Sequence, residues 1–386
     1  MIEIKTNGLP IKMWADSMDK YAREEAENLA NHPFSFKHIA LMPDVHAGKG
    51  MPIGGVLATD GVVIPNAVGV DIGCGMCSVK TSVRVENLPS EILRKKIMRG
   101  IRRQIPLGRD HHKQRQDESY MPQDSRIGEM TIVSRKYISA LRQIGTLGGG
   151  NHFIELQKCT DGYLWVMLHS GSRNLGKNVC DYYNDIAENS VNAKYTDMQL
   201  AYLYLDSHEA QHYLQEMEYC TAFAKANRKL MMVRIKQVIG DVFPDVQFES
   251  EIDIAHNYAS TEIHFGTEVV VHRKGAISAR KDEIGIIPGS QGSHSYIVQG
   301  LGNEDSFHSS SHGAGRALSR SAAFYDLSLE EEIARLDRLN VVHGVRFKKD
   351  LEEATGAYKD ISKVMANQQD LAKPIVELFP IAVIKA

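Results

Sequence analysis

The strongest constraint on the fold of this chain is the way glycine punctuates its apolar runs. From Ile39 to Val85, β-branched stretches are broken by glycine, as in GGVLATDGVVIP and NAVGVDIGCGMCSVKTSV. Glycine in such a run marks a turn or a close approach of backbones, so the region predicts several short strands joined by tight turns. The pattern returns at 144–170, where TLGGGNHFIEL and YLWVMLHSGS end in polar residues, and again at 268–300. Between them lies the longest helical signal, from about Ser207 to Ile239. There Leu214, Met217, Ala224, Met231, Ile235 and Val238 recur at helical spacing, and the methionines read as core filler. Strand regions around a long helical stretch predict a mixed α/β (α+β) fold.

The remaining elements follow from smaller signals. Asp16 to Asn31 reads as an amphipathic helix ended by His32-Pro33, because the residue before proline is pushed out of the helical region. A charged helix is expected from about Ser90 to Gln104. Its apolar positions Leu93, Ile97, Ile101 and Ile105 face the core, while Arg94, Lys95, Arg99, Arg102 and Arg103 cover the rest. Residues 108–128 are polar and read as a mobile loop. Helices are expected around Leu329–Leu339 and Leu351–Gln369, then a last short strand, IAVIKA. No internal repeat, low-complexity segment or Pro/Ser-rich linker divides the chain, so a single domain over 1–386 is expected, with a helical insertion at about 200–240.

Five histidines stand at the ends of apolar strands beside glycine, asparagine or serine: PDVHAG, GGGNHF, MLHSGSR, IAHNY and SSHGAGR. One alone would read as a packed or solvated side chain, but strand ends are rigid supports from which side chains converge on a cleft. Asp71 and Cys74 lie three residues apart around a glycine and can share a metal ion. Cys77 completes a C-x-x-C, yet no second pair exists to make a four-cysteine zinc site. One Asp, one Cys and several His suit a borderline transition metal, and manganese, iron, cobalt and zinc all remain open. The run Gly148-Gly149-Gly150-Asn151 offers backbone amides with little bulk, as a phosphate cradle needs, but it is neither a Walker A motif nor a dinucleotide fingerprint. Pro288-Gly289-Ser290 and His312-Gly313-Ala314-Gly315-Arg316 are two further glycine loops, and Arg173, Lys274, Arg316 and Arg320 stand near these sites in sequence.

Charge and cysteine usage limit the partners. The net charge is -3, so no whole-molecule field draws the chain onto nucleic acid or membrane, and any basic patch is local. No apolar stretch approaches the roughly 20 residues of a membrane span. Five scattered cysteines and no signal-peptide pattern point to a reducing cytoplasm.

Taken together, PDVHAGKGMPIGG, VGVDIGCGM, GGGNHFIE, HSGSRNLG, AHN, HRKGA, IPGSQG and SHGAGR, with a lysine near the C-terminus, resemble the RtcB family of RNA ligases in order and content. The resemblance implies sheets around a central metal and nucleotide cleft with helices outside. It implies a ligase that uses GTP and two manganese ions to join RNA ends carrying a 2′,3′-cyclic phosphate or 3′-phosphate to 5′-hydroxyl ends, as in splicing or repair of cleaved tRNA or rRNA. By the same resemblance Asp71, Cys74, His152, His169 and His256 would hold the metals, with Cys74 bridging, and His312 would take GMP from GTP. Asn151, Glu155, Ser290, Gly313, Ala314, Gly315 and Lys385 would hold the nucleotide, and Arg173, Lys274, Arg316 and Arg320 would engage RNA phosphates. Two rivals need less: a metal-dependent RNA phosphodiesterase or phosphatase dispenses with His312, Lys385 and GTP, and an inactive RNA-binding accessory protein keeps only the fold. The nine Lys and Arg residues from Arg94 to Arg115 read either as a solvated face or as a track for the RNA backbone.

Overall fold

The computed structural model describes residues 1–191 and 193–386 and contains two large sheets with helices outside them, a mixed α/β arrangement. The first sheet has the strand order Ile2–Ile4, Ile11–Met13, Ser35–Lys49, Met51–Thr59, Thr267–Lys274, Asn257–His264, with its one parallel pairing between the second and third. The second is antiparallel throughout: Ile252–Ala255, Gly75–Arg84, Tyr163–Ser170, Phe153–Cys159, Ala372–Ile384, Ser295–Gly300, Ile284–Ile287.

The second sheet is covered on both faces, and its alternating side chains divide accordingly. Cys77, Val79, Ile154, Leu156, Leu164, Val166 and Leu168 point one way, into a core closed by Ile97 and Ile101 of the charged helix and Met231, Ile235 and Val238 of the long helix. Met76, Phe153, Trp165 and Met167 point the other way, against Ile286, Ile297 and Leu378. Residues opposite each other in antiparallel strands share a face. Met76 and Phe153 both pair with His169, and Glu155 pairs with Met167 and Val383, so this second face also carries His169 and Glu155.

The long helix runs His208–Gly240, started by Ser207, whose hydroxyl accepts from the Ala210 amide at 3.1 Å. The charged helix is also present over Ser90–Gln104, but its middle, Leu93–Met98, is a π turn. A strict four-residue spacing runs ahead of a 3.6-residue turn, and the wider π turn brings the stripe back into line. Leu93, Ile97, Ile101 and Ile105 are accordingly all buried.

Elsewhere the structure corrects the expectations. The first helix is Lys20–Ala30, because Asp19 caps it by accepting from the amides of Tyr21 and Ala22. The glycine-broken region holds long strands rather than short ones: Ser35–Lys49 has 15 residues, and irregularities in its pairing absorb the breaks. The strands that were expected to resume at 268 begin at Ile252. The 108–128 segment is docked, with amides of Gly108, His112 and Gln116 donating to Gly148, Arg142 and Leu141 at 2.8–3.0 Å. In place of a helix over 351–369 there are 3-10 turns at Lys348–Glu353 and Thr355–Ala357, then a short helix Ile361–Ala366 capped by Asp360. The last strand is 13 residues long and lies inside the second sheet, with an irregularity at Pro380, which has no amide to donate. All five cysteines are free, and among the described residues no helix is long and apolar enough to cross a membrane.

Candidate metal and nucleotide centre

The five residues expected as metal ligands come together at one end of the second sheet. Cys74 Sγ lies 3.4 Å from His152 Nε2 and 3.2 Å from His169 Nε2. His169 Nε2 is 3.3 Å from His256 Nε2, and His152 Nε2 is 3.2 Å from Asp71 Oδ2. They form two triads, Cys74–His169–His256 and Asp71–Cys74–His152, each with its ligand atoms within 4.8 Å of one another and with Cys74 common to both.

The ring orientations suit ligation. His152 Nδ1 is 3.0 Å from the Leu147 carbonyl and His169 Nδ1 is 3.3 Å from that of Asn151. A carbonyl only accepts, so both Nδ1 atoms carry the proton and both Nε2 lone pairs point at Cys74. Burial holds His169 and His256 well below the usual histidine range, which keeps them neutral. Burial and then the Asp71 charge push the Cys74 thiol far up, a shift that a bound cation reverses. Burial would also raise Asp71, but its hydrogen bond to His152 and the attraction of that ring outweigh it and set the carboxyl at about 2. Imidazoles, a thiol and a carboxylate converging in this way fit a pair of transition-metal ions.

The long helix holds the loops that carry these ligands. Buried Arg228 donates to the carbonyls of Gly73 (2.9 Å) and Ser170 (3.0 Å) and forms a bidentate pair with Asp253 (2.9 and 2.7 Å). Its neighbour Asn227 accepts from the amides of Gly145 and Thr146 and donates to Gly171 O. Both were missed by the sequence reading. The available signal was that 227 and 228 fall on the same stripe as Ala224, Met231 and Ile235, where a polar pair has to be satisfied internally.

His312 follows the strand Ser309–Ser311. Its Nδ1 lies 2.7 Å from Asp44 Oδ2, and the same oxygen accepts from the amides of His312 (3.1 Å) and Gly313 (3.3 Å). The carboxylate fixes the proton on Nδ1 and leaves the Nε2 lone pair free. Asp44 was also missed, although it stands in the same PDVHAG string that drew attention to His46. The ring of His312 is 4.8 Å from that of His256, so the proposed nucleophile adjoins the metal triads. A Cβ at Gly275 would come within 3.0 Å of His312 Cε1 and 2.3 Å of Ile53, so this position admits no side chain.

His312 and His169 both line a cavity of about 620 Å³, within the usual range for a small-molecule site. Its walls include Asn151, Glu155, Ser290, Gly313, Ala314, Gly315, Arg316, Arg320 and Lys385, together with His46, Phe153, Glu353 and Tyr358. Glu353, a fourth residue missed by the sequence reading, gathers the cations. Its carboxylate lies 3.3 Å from Arg316 Nη1, 3.5 Å from Arg320 Nε and 3.4 Å from Lys385 Nζ. Burial would raise Glu353, but Lys385, the Tyr358 hydroxyl and the two arginines hold it below its ordinary value. Glu155 has no such escort, and burial pushes it up to about 8 against the opposing Gln157 hydrogen bond and Lys385 charge.

Two of the four expected phosphate contacts, Arg316 and Arg320, are on the cavity wall. Arg173 is partly buried beside the glycine loop, donating to Thr146 Oγ1 (3.1 Å) and Gly108 O (3.0 Å), with its own φ at 59°. A Cβ at Gly148 would meet Arg173 Nη1 at 2.2 Å and His152 Nδ1 at 2.4 Å, which is why glycine is needed there. Lys274 is not brought to the cavity wall. It is 8% exposed, and its ammonium donates to the carbonyls of Lys49 (2.6 Å) and Asn66 (3.0 Å).

With this geometry in hand, comparison with known proteins is specific. The family model described as tRNA-splicing ligase RtcB matches residues 25–136 and 121–386. The RNA-splicing ligase RtcB of Escherichia coli strain K12 is 38% identical over 410 residues, covering 99% of this chain and 98% of that protein. The tRNA-splicing ligase RtcB of Thermococcus kodakarensis is 31% identical over 440 residues, covering 94% and 90%.

Proposed function

The chain belongs to the RtcB family of RNA-splicing ligases, and from that premise we propose that it is an RNA ligase joining 3′-phosphate or 2′,3′-cyclic phosphate ends to 5′-hydroxyl ends through a GMP adduct on His312. The observation that carries the proposal is the place of His312, with Nδ1 pinned by Asp44 and the ring beside His256 on the wall of a nucleotide-sized cavity. A hydrolase whose nucleophile is metal-bound water needs no oriented imidazole beside such a cavity.

In this reading GTP lies in the cavity with its base and ribose toward Glu155, Lys385 and Ser290. Its phosphates lie toward Asn151 and the Gly313-Ala314-Gly315 turn. Asp71, Cys74, His152, His169 and His256 would hold two manganese ions, which would neutralise phosphate charge and ease departure of pyrophosphate. His312 Nε2 attacks the α-phosphorus, the P–O bond to pyrophosphate breaks, and an N–P bond forms. Asp44 keeps the Nδ1 proton in place and stabilises the positive ring that results. A terminal oxygen of the RNA 3′-phosphate then displaces His312 from phosphorus, leaving GMP on the RNA end. A 5′-hydroxyl loses its proton, attacks the RNA phosphorus and releases GMP. A cyclic phosphate is first opened by water. Arg316 and Arg320 orient phosphate through their forked donors, and Arg173 supports the glycine loop beside them.

The test is mass spectrometry after incubation with GTP and manganese. The parent protein should gain one covalent GMP, and His312→Ala should gain none while melting as the parent does. An adduct of normal yield in that variant overturns the assignment, and absence of any adduct in the parent favours the phosphodiesterase or phosphatase.

A further inference from the structure

Two elements leave the nucleotide cavity side by side. The helix Arg320–Asp326 starts at the cavity wall with Arg320 and carries Phe324 and Tyr325 at its far end. The 3-10 segment Lys348–Glu353 runs the opposite way. Its last residue, Glu353, lines the cavity and meets Arg320 at 3.5 Å. Its first, Lys348, stands over both rings, with Nζ 5.0 Å from the Phe324 centroid and 5.8 Å from that of Tyr325. Both elements therefore have one end in the cavity and the other on a common rim.

That rim is aromatic and basic together. Tyr325 is 73% exposed and Phe347 64% exposed, and Lys349 Nζ lies 5.9 Å from the Phe347 centroid. Arg346, Lys348 and Lys349 form no ion pair among the described residues. Asp350, the nearest acid in sequence, is engaged by the amides of Arg346 (2.8 Å) and Phe347 (2.9 Å). Beyond the turn, a Cβ on Gly344 would stand 3.4 Å from Arg102 Nη2, so the basic helix Ser90–Gln104 adjoins the same rim.

Exposed rings flanked by unpaired cations offer what single-stranded nucleic acid needs, a flat surface for a base and a charge for the phosphate beside it. A protein partner would be recognised by apolar complementarity or by acids to pair, and the three cations Arg346, Lys348 and Lys349 clustered beside the exposed rings favour phosphate. We infer that this rim seats the single-stranded RNA adjoining the end held in the cavity, with bases stacked on Tyr325 and Phe347 and phosphates on Arg346, Lys348 and Lys349. The inference rests on the ligase reading above and adds the path of the substrate.

The experiment uses the full chain and two 3′-phosphorylated RNAs, a dinucleotide confined to the cavity and a single strand of about twelve nucleotides. Tyr325→Ala/Phe347→Ala should bind the longer RNA about tenfold or more weakly and the dinucleotide as the parent does. Lys348→Gln/Lys349→Gln should lower the salt slope for the longer RNA by about one unit for each phosphate contact removed. Both variants should form the His312–GMP adduct at the parental rate, because neither alters the cavity wall. Unchanged affinity and salt slope for the longer RNA in both variants overturn the inference and leave the rim to a protein partner. Equal loss on both RNAs overturns it too. Loss of the GMP adduct in the parent would instead defeat the ligase reading, and RNA affinity reports separately from it.

Discussion

The two faces of the second sheet are made by alternate residues of the same strands, and they solve opposite problems. On one face Ile154, Leu156, Leu164, Val166 and Leu168 bury hydrocarbon against hydrocarbon. Each such side chain contributes roughly 1.5–3 kcal/mol and asks only for space to be filled. On the other, His169 and Glu155 are equally buried, and Cys74, His152 and His256 gather beside them with lone pairs converging on one thiol. Buried polar groups cost free energy unless a partner answers them. The first face therefore stabilises the fold, while the second draws on that stability to hold ligands ready. The consequence of a substitution should depend on which face it touches.

The sharpest way to break that comparison is the C-x-x-C itself. Cys74 belongs to both candidate metal triads, while Cys77, three residues on, packs in the hydrocarbon core. Cys74→Ala should abolish manganese binding, measured by metal analysis of the purified protein, and with it the GMP adduct, without lowering the melting temperature. Cys77→Ala should keep both metal and adduct and cost about 1 kcal/mol in denaturant unfolding. Equal loss of adduct in the two variants would erase the distinction and return zinc or redox chemistry to consideration. A smaller effect is expected at Asp44. Asp44→Asn preserves shape but presents a different hydrogen-bond pattern to His312 Nδ1, so guanylylation should slow by roughly two to four orders of magnitude. A parental rate in single-turnover assays would mean that Asp44 serves the backbone amides of His312 and Gly313 and not the ring.

How far the site could be read from the sequence follows from the same geometry. His152, His169, His256 and His312 were recognisable because each stands at an end of an apolar run, and strand ends are rigid supports from which side chains converge. The stripe Leu93, Ile97, Ile101 and Ile105 was legible because helical spacing is a local property. Pairing across the sheet is not local. The strand Ala372–Ile384 lies between Phe153–Cys159 and Ser295–Gly300, and nothing in IAVIKA announces partners so remote in sequence. Glu353 was hidden for that reason, since its value lies in meeting Arg316 and Arg320 from one stretch of chain and Lys385 from another. Lys274 shows the converse. The motif around it reads as a free cation, but the fold turns its ammonium onto two backbone carbonyls.

The mildest test compares how the two faces respond to pH. Glu155 has an ordinary value of 4.5, and in the folded protein burial pushes it up to about 8. Gln157 donates to it at 2.8 Å and Lys385 faces it, but neither compensates for the lost water. Between pH 4.5 and about 8 the folded state therefore keeps a proton that the unfolded chain has released. Stability must fall as pH rises through that window and level off above it. Glu155→Gln removes the titration and keeps the shape. The stability of the variant relative to the parent should thus rise across the window by an amount on the order of a few kcal/mol, read from urea midpoints at each pH. Leu168→Ala, on the other face of the neighbouring strand, should cost about 2–5 kcal/mol by leaving a cavity, and that cost should be the same at every pH. Parallel curves for the parent and Glu155→Gln would mean that the carboxylate is ionised in the folded state and paired with Lys385. The polar face would then be as well satisfied as the hydrocarbon one, and the contrast between them would disappear at this position.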